Sequence, residues 1–341
     1  PANGLSNVGG TSSLTTHLRH PAIIAGFPKG FNSFYCMKYE ITQGQYVHFL
    51  NLLPATYQSI RTQIPVTSPA GTFAMHDGTS PRRNFIKIIT PAAGNPLTPA
   101  VYGVDFNNNG VFNEPGDGAS IACNYLNWGD LLAYLDWAAL RPMTELEFEK
   151  AARGPSSVGN PQAGEFAWGS TVLLHTRANG LLANPGQPNE VSTITGPGLC
   201  NISTSTSSIA IENQVPSAVN GPLRTGFAAG FGTNRSQAGA TYYGIMEFSG
   251  NVREQCMAIG SISIGAAIFN GTLGDGELDG NGEANQTTWG SANEAIWSVL
   301  RGGAWGTLHT NEGRISDRTN IGNTGGAVRT SLNGGRGVRQ F

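Results

Sequence analysis

Charge is what this sequence has least of. Only 12% of its 341 residues are Asp, Glu, Lys or Arg, about half the share usual for a soluble domain. Twenty basic residues against 22 acidic ones leave a net charge of −2. With no Lys/Arg cluster in the chain, the electrostatic footprint of a nucleic-acid binder is absent. No apolar run reaches the roughly 18 residues that a membrane helix needs, so no membrane span is expected. Cysteine is scarce too. Cys36, Cys123, Cys200 and Cys256 stand apart, and the absence of a Cys-x-x-Cys pair excludes zinc or redox work of that type. Cys36 and Cys256 each precede a Met in apolar or aromatic surroundings and read as buried structural residues, free or bridged. There is no Gly-x-Ser-x-Gly elbow, phosphate loop, dinucleotide fingerprint or His-Glu-x-x-His. Of the six histidines only His17 and His20 approach a metal spacing, and they have no third ligand nearby in sequence.

What is present is glycine and amide. The chain holds 47 Gly, 29 Asn and 19 Pro, which argues for a loop-rich globule with little regular structure. Hydrophobic residues at 39% and aromatics at 9% are spread along the whole length and are enough to fold. The polar surface must therefore be built from Asn, Ser, Thr, Gln and backbone. Such a composition is commonest in secreted surface and appendage proteins, and an extracellular or cell-surface location follows as the expectation. The sequence opens on Pro1 without a Met, which reads as a mature form or a fragment.

Local patterns place a few elements. Residues 1–30 have no clear period and read as an N-terminal arm. Phe34 to Glu40 reads as a short strand. Thr42 with Gln45 forms a capping box, and Tyr46, Phe49, Leu50 and Leu53 continue a helix until Pro54. Residues 55–120 read as mostly irregular, with one strand over Asn84 to Thr90. Trp128 to Leu140 carries an amphipathic stripe broken by Arg141-Pro142-Met143. Thr144 with Glu147 then opens a second capped helix that Gly154 ends. Short β-like runs follow at Tyr242 to Met246, Ile262 to Phe269 and Trp297 to Leu300. The order of elements suits one irregular α+β domain over 31–341, with loop insertions at about 55–120 and 180–240.

Four segments carry a family likeness. The first is Tyr35-Cys36-Met37-Lys38-Tyr39-Glu40-Ile41-Thr42, with Tyr46 and Phe49-Leu50-Asn51. The second runs from Asn127-Trp128-Gly129-Asp130 through Arg141-Pro142-Met143-Thr144-Glu145-Leu146-Glu147-Phe148-Glu149-Lys150-Ala151-Ala152-Arg153-Gly154, with Trp168-Gly169 beyond. The third is Tyr243-Gly244-Ile245-Met246-Glu247-Phe248-Ser249-Gly250-Asn251-Val252-Arg253-Glu254. The fourth is Leu300-Arg301-Gly302-Gly303-Ala304-Trp305, then Arg314 and Arg318, ending in Gly335-Arg336-Gly337-Val338-Arg339. Their order and spacing resemble the domain of formylglycine-generating enzymes, the sulfatase-modifying factors. The resemblance implies an irregular, loop-rich C-type-lectin-like fold with few helices and short antiparallel strands. Fold does not bring chemistry with it. The family's copper-dependent oxidase activity uses two cysteines before the closing segment, and this chain has none after Cys256. Copper(I) needs soft sulfur, which Thr307, His309, Asn311 and Glu312 do not supply. A non-catalytic protein is expected.

The same resemblance implies a calcium site at Glu247, the carbonyls of Gly250 and Val252, and Glu254, a set of oxygens suited to a hard cation. The alternative is that Glu254 pairs with an arginine, Arg253, Arg301 or Arg318. Independently of any family, Asp105, Asn107, Asn109 and Asn113 place oxygen side chains at positions one, three, five and nine of a loop. Gly110 sits at six, with the Val111 carbonyl next; Asp117 stands near where a bidentate carboxylate belongs. An Asn-Gly turn without an ion is the plainer alternative.

Two functions remain open. One is a structural subunit of a filament, appendage or surface layer. Low charge lowers repulsion between packed copies, amide faces bond one another, and the Thr11 to Thr16 stretch of the arm could add to a neighbour's sheet edge. The other is a binding module for a glycan, a cell-surface receptor or another surface protein. It would use the loop 306–337 and its rim, a surface of Trp305, His309, Asn311, Arg314, Asn320, Asn323, Arg329 and Asn333. Some phage and bacterial proteins of this fold use the equivalent segment to bind receptors, and this tail resembles theirs. The whole-chain composition favours assembly.

Overall fold

The computed structural model describes residues 23–78, 81–155, 161–175, 182–193, 195–202, 221–230, 232–259, 268–290, 297–307, 310–318 and 328–340. Among the described residues four short helices and twelve short strands are joined by irregular segments, a mixed α+β arrangement. Among the described residues no helix is long and apolar enough to cross a membrane.

The capping boxes read from sequence are formed. Thr42 Oγ1 accepts the Gln45 amide and Gln45 returns a bond to the Thr42 amide, opening α1 (Gln43–Asn51). Pro54 does more than end that helix: it stands at the N-cap of α2 (Ala55–Arg61), where its fixed φ and missing N–H cost nothing. That helix was not visible in the pattern. Asn127 and Asp130 cap α3 (Trp128–Trp137) reciprocally, and Thr144 and Glu147 do the same for α4 (Glu145–Arg153). Gly154, at φ 84°, takes the left-handed turn that ends α4. A side chain there would also collide with the Tyr242 ring.

Two three-stranded sheets organise the body. In the first, β1 (Phe34–Cys36) pairs antiparallel with β12 (Gly337–Gln340), which pairs antiparallel with β4 (Arg141–Pro142). In the second, β9 (Arg253–Met257) lies between antiparallel β10 (Ser298–Arg301) and parallel β11 (Asn333–Gly334). A hairpin of β2 (Ile86–Thr90) and β3 (Val101–Val104) stands apart. The two-residue strands β5 (Leu174–His175) and β8 (Leu199–Cys200) pair parallel, and β6 (Leu182–Ala183) and β7 (Val191–Ser192) pair antiparallel. The strands are thus short and mostly antiparallel, with two parallel pairings that the sequence did not suggest.

Several expectations need revision. Tyr242 to Met246 forms turns instead of a strand, its amides bonding Ala152, Thr241 and Lys38 carbonyls. Most of Ile262 to Phe269 lies outside the described residues. The arm does not extend to residue 30: Phe27 is buried and packs edge-on against Phe269 at 5.9 Å, and the Pro28 carbonyl accepts Thr144 Oγ1 at 2.8 Å. Nor is 55–120 a peripheral insertion. Ile86, Ile88, Tyr102 and Val104 share one core with Tyr46, Phe49, Trp128 and Leu131. A second core gathers Met143, Phe148, Phe166, Trp168, Phe248 and Cys256.

Candidate functional site

Three places answer to the sequence expectations, and a fourth emerges from the structure. The first is a cluster of buried carboxylates where the two sheets meet. Glu40, Glu247 and Glu254 are all buried, with Arg336 fully buried beside them. Arg336 Nε donates to Glu254 Oε1 at 2.6 Å. Glu40 accepts the Val252 amide at 3.0 Å and Asn251 Nδ2 at 2.6 Å. Glu247 Oε1 accepts the Gly226 amide at 2.8 Å. The turn that presents these groups is left-handed at Glu247 (φ 57°), Gly250 (93°) and Asn251 (63°). A non-glycine residue held there is strained and needs its surroundings to fix it; the Gly226 amide and the Asn251 bonds do so. Burial pushes Glu247 up to about 7 and raises Glu40 well above the usual carboxylate range, the neighbouring carboxylates reinforcing it for Glu40. Glu254 is raised by burial despite Arg336. Arg336 acts on all three carboxylates, and Arg224 acts on Glu247 as well.

The sequence named Glu247 and Glu254 but missed Glu40 and Arg336. The only hint of Glu40 was a carboxylate inside an otherwise apolar and aromatic run. Glu254 does have an arginine partner, but it is Arg336. Arg253 reaches Glu312, Arg301 reaches Glu145 and Glu149, and Arg318 forks onto Glu145. Two oxygens, Glu247 Oε2 and Glu254 Oε2, are buried without a hydrogen-bond partner. They are the donors a cation at this site would take. Among the described residues no three His, Cys, Asp or Glu side chains converge as a ready metal cluster.

The second place is the Asn-rich loop, and here the ion expectation is corrected. Lys87 Nζ sits at its centre, 2.9 Å from Asp105 Oδ2 and 2.5 Å from Asn108 Oδ1. Most of the remaining side-chain oxygens close the loop on its own backbone, while Asp117 Oδ1 is buried without a hydrogen-bond partner. Asp105 Oδ1 and Asn107 Oδ1 accept the Asn109 amide, Asn109 Oδ1 accepts the Val111 amide, and Asn113 Oδ1 accepts the Val104 amide. Asp117 Oδ2 accepts the Glu114 amide. The β2 lysine supplies the positive charge that the spacing had suggested for calcium.

The third place is the C-terminal surface, which divides. Trp305 is buried and donates its Nε1 to the Ser331 carbonyl at 2.8 Å. Arg329 forks onto Asp130 at 2.8 and 2.7 Å. Asn333 is buried in β11. These three hold the scaffold together and are not available to a ligand. Asn311 is exposed on a one-turn 3₁₀ helix (Thr310–Gly313), and Arg314 is half-buried against Gly164. His309, Asn320 and Asn323 lie outside the described residues.

The fourth place was not foreseen. A half-open cleft of about 280 Å³ is lined by the consecutive residues Ser33 to Cys36 together with Lys150, Ala151, Tyr243 and Ile245. Tyr35 and Tyr243 are 61% and 51% exposed. The thiol in it is no nucleophile: burial raises Cys36 to about 12. Cys123, Cys200 and Cys256 are also raised by burial, and all four cysteines are free.

No family model matches the chain, and neither does any curated protein. Among solved structures it is similar to Treponema denticola variable protein 1 over 100% of this chain and 94% of that one, at 13% identity and a TM-score of 0.38. A likeness that slight assigns neither fold nor function.

Proposed function

We propose that this chain is a non-catalytic extracellular structural subunit that works by assembling, built on a domain of the formylglycine-generating-enzyme type with a C-type-lectin-like fold. The fold reading is supported by where its four segments go. The first contributes to β1, the second supplies β4, the third opens β9, and the fourth contributes to β10 and β12, so five of the six strands in the two three-stranded sheets draw on them, β11 being the exception. Buried polar contacts tie the same segments together: Glu40 to Asn251, Glu254 to Arg336, and Glu145 to Arg301 and Arg318.

The observation that carries the assembly reading is where the scarce charge lies. Among the described residues at least ten of the chain's 20 lysines and arginines form ion pairs, and Arg61, Arg83, Lys87, Arg141, Arg301 and Arg336 among them are essentially buried. The outer surface is therefore poorer in charge than composition alone implies. A surface without a strong field of one sign does not hold copies apart, and near-neutral proteins associate more readily. Amide and hydroxyl groups supply the hydrogen bonds between faces. Sedimentation of the purified chain over a range of concentrations tests this: association that grows with concentration supports it, and a monomer throughout refutes it.

As part of the same reading, calcium is held at the buried cluster by the free oxygens of Glu247 and Glu254, with the carbonyls of Gly250 and Val252. There it would supply the positive charge that Arg336 alone does not. The two unpartnered oxygens support this placement.

A further inference from the structure

The cleft beside β1 has a property that its apolar lining alone would not give it. Successive side chains of a strand point to opposite faces. Four consecutive residues, Ser33 to Cys36, can therefore line one cleft only if that cleft lies along the strand's edge. β1 is an edge strand: its one partner among the described residues is β12. The register fixes which backbone groups face outward. The Met37 amide donates to the Gly337 carbonyl at 3.1 Å, so Met37 and Gly337 form a hydrogen-bonded antiparallel pair. By alternation Tyr35 and Arg339 form the next, and Phe34 opposite Gln340 and Cys36 opposite Val338 are non-bonded pairs. The N–H and C=O groups of Phe34 and Cys36 thus point away from β12 and into the cleft. The same cleft is lined by Ala151 and Ile245, both buried, and by the half-exposed Tyr243.

An unpaired edge that shares a cleft with buried apolar side chains has the form of a slot for one more strand. The chain also carries a segment of the right chemistry. Residues 17–22 lead from Ile23 back to a suitable stretch, and extended they would reach about 20 Å, enough to meet a touching copy. That stretch, Thr11-Ser12-Ser13-Leu14-Thr15-Thr16, is uncharged, free of Pro and Gly, and rich in β-branched Thr. Its single large apolar residue, Leu14, shares one face with Ser12 and Thr16.

We propose that residues 11–16 of one copy add as a strand to the free edge of β1 in a second copy, with Leu14 placed against Ala151 and Ile245. This rests on the assembly reading above and names the contact that carries it. Four backbone hydrogen bonds, to the amides and carbonyls of Phe34 and Cys36, fix the strand, and the apolar side chains select Leu14.

Two full-length variants test it. Leu14→Asp spoils the donor and leaves the slot intact. Tyr243→Asp puts a charge in the lining of the slot, at an exposed position, and leaves the donor intact. Each alone sediments as a monomer at a concentration where the parent chain assembles, both with the parent's circular dichroism spectrum and melting midpoint. Mixed in equal amounts, they form a one-to-one dimer, because one intact donor then meets one intact slot. A synthetic peptide of residues 10–18 binds the Leu14→Asp variant, and the same peptide with methylated backbone nitrogens binds at least tenfold more weakly. If the parent assembles and both variants assemble equally well, the slot is not the contact and this inference fails while assembly stands. If the variants are monomeric and the mixture stays so, the donor folds onto its own copy and the inference fails likewise. If the parent itself is monomeric at every concentration, the assembly reading fails with it.

Discussion

Arg336 and Glu254 meet inside the protein, Nε to Oε1 at 2.6 Å, with the side chains of both residues essentially closed to solvent. The pair joins β9 to the segment just before β12, and through Glu40 and Asn251 it is tied to the strand and helix at the start of the chain. Removing one partner of a buried pair leaves the other charge without compensation. Here two further carboxylates would share that fate.

Arg336→Met should therefore cost about 3–5 kcal/mol of unfolding free energy, read from the denaturant midpoint. Adding Glu254→Gln to it should recover part of that loss, since the carboxylate bonded directly to Arg336 is then neutral. A single-variant loss below about 1 kcal/mol, in the range of a surface pair, would contradict the buried cluster.

The cluster also sets a pH dependence. Glu247 is raised to about 7 and Glu40 and Glu254 are raised above the ordinary carboxylate range, in each case chiefly by burial. A carboxyl whose folded pKa lies above its unfolded one binds more protons when folded, so stability falls as pH rises between the two. The contribution is complete below the unfolded value and lost as pH rises through about 7. Without calcium, the melting midpoint should drop from pH 5.5 to pH 8. Glu247→Gln should flatten that slope; an equal slope in the variant would assign it elsewhere.

Calcium replaces the proton in this account. Millimolar calcium should raise the melting midpoint at pH 8, where the carboxylates are ionised, and have little effect at pH 5.5. Glu254→Gln should abolish the rise. No calcium-dependent shift at either pH removes the ion from the account and leaves the glutamates to protons and Arg336.

Lys87 makes a separate case. Its ammonium closes the Asn-rich loop on Asp105 and Asn108, with both ionic side chains 3% exposed. Lys87→Met should cost about 3 kcal/mol or more, and Lys87→Met with Asp105→Asn should be milder than the single change. A calcium titration monitored by loop amide shifts should leave residues 105–117 unmoved.

The parts legible in sequence were those with local causes. Two capping boxes, the breaks at Pro54 and Arg141-Pro142, and the strand at Ile86–Thr90 depend on neighbours within a few residues; the third box, Asn127 with Asp130, was not read from the sequence. The site was less legible because its members are far apart. Glu40 is 211 residues from Asn251, and Arg336 is 82 from Glu254. Nothing local marks Lys87 as the partner of a loop 18 residues on, or Trp305 and Asn333 as buried scaffold instead of surface. The two-residue strands carry too little pattern to read, and β1's open edge becomes visible only once β12 is in place.

The central claim is that a fold which takes much of its scarce charge inward has an outer surface made to meet its own copies. Sedimentation velocity of the full chain at rising concentration, in 50 and 500 mM salt, tests this most directly. The account predicts assemblies that grow with concentration and change little with salt, since neutral hydrogen bonds and apolar contacts are weakly screened. A single monomeric boundary at every concentration would contradict it.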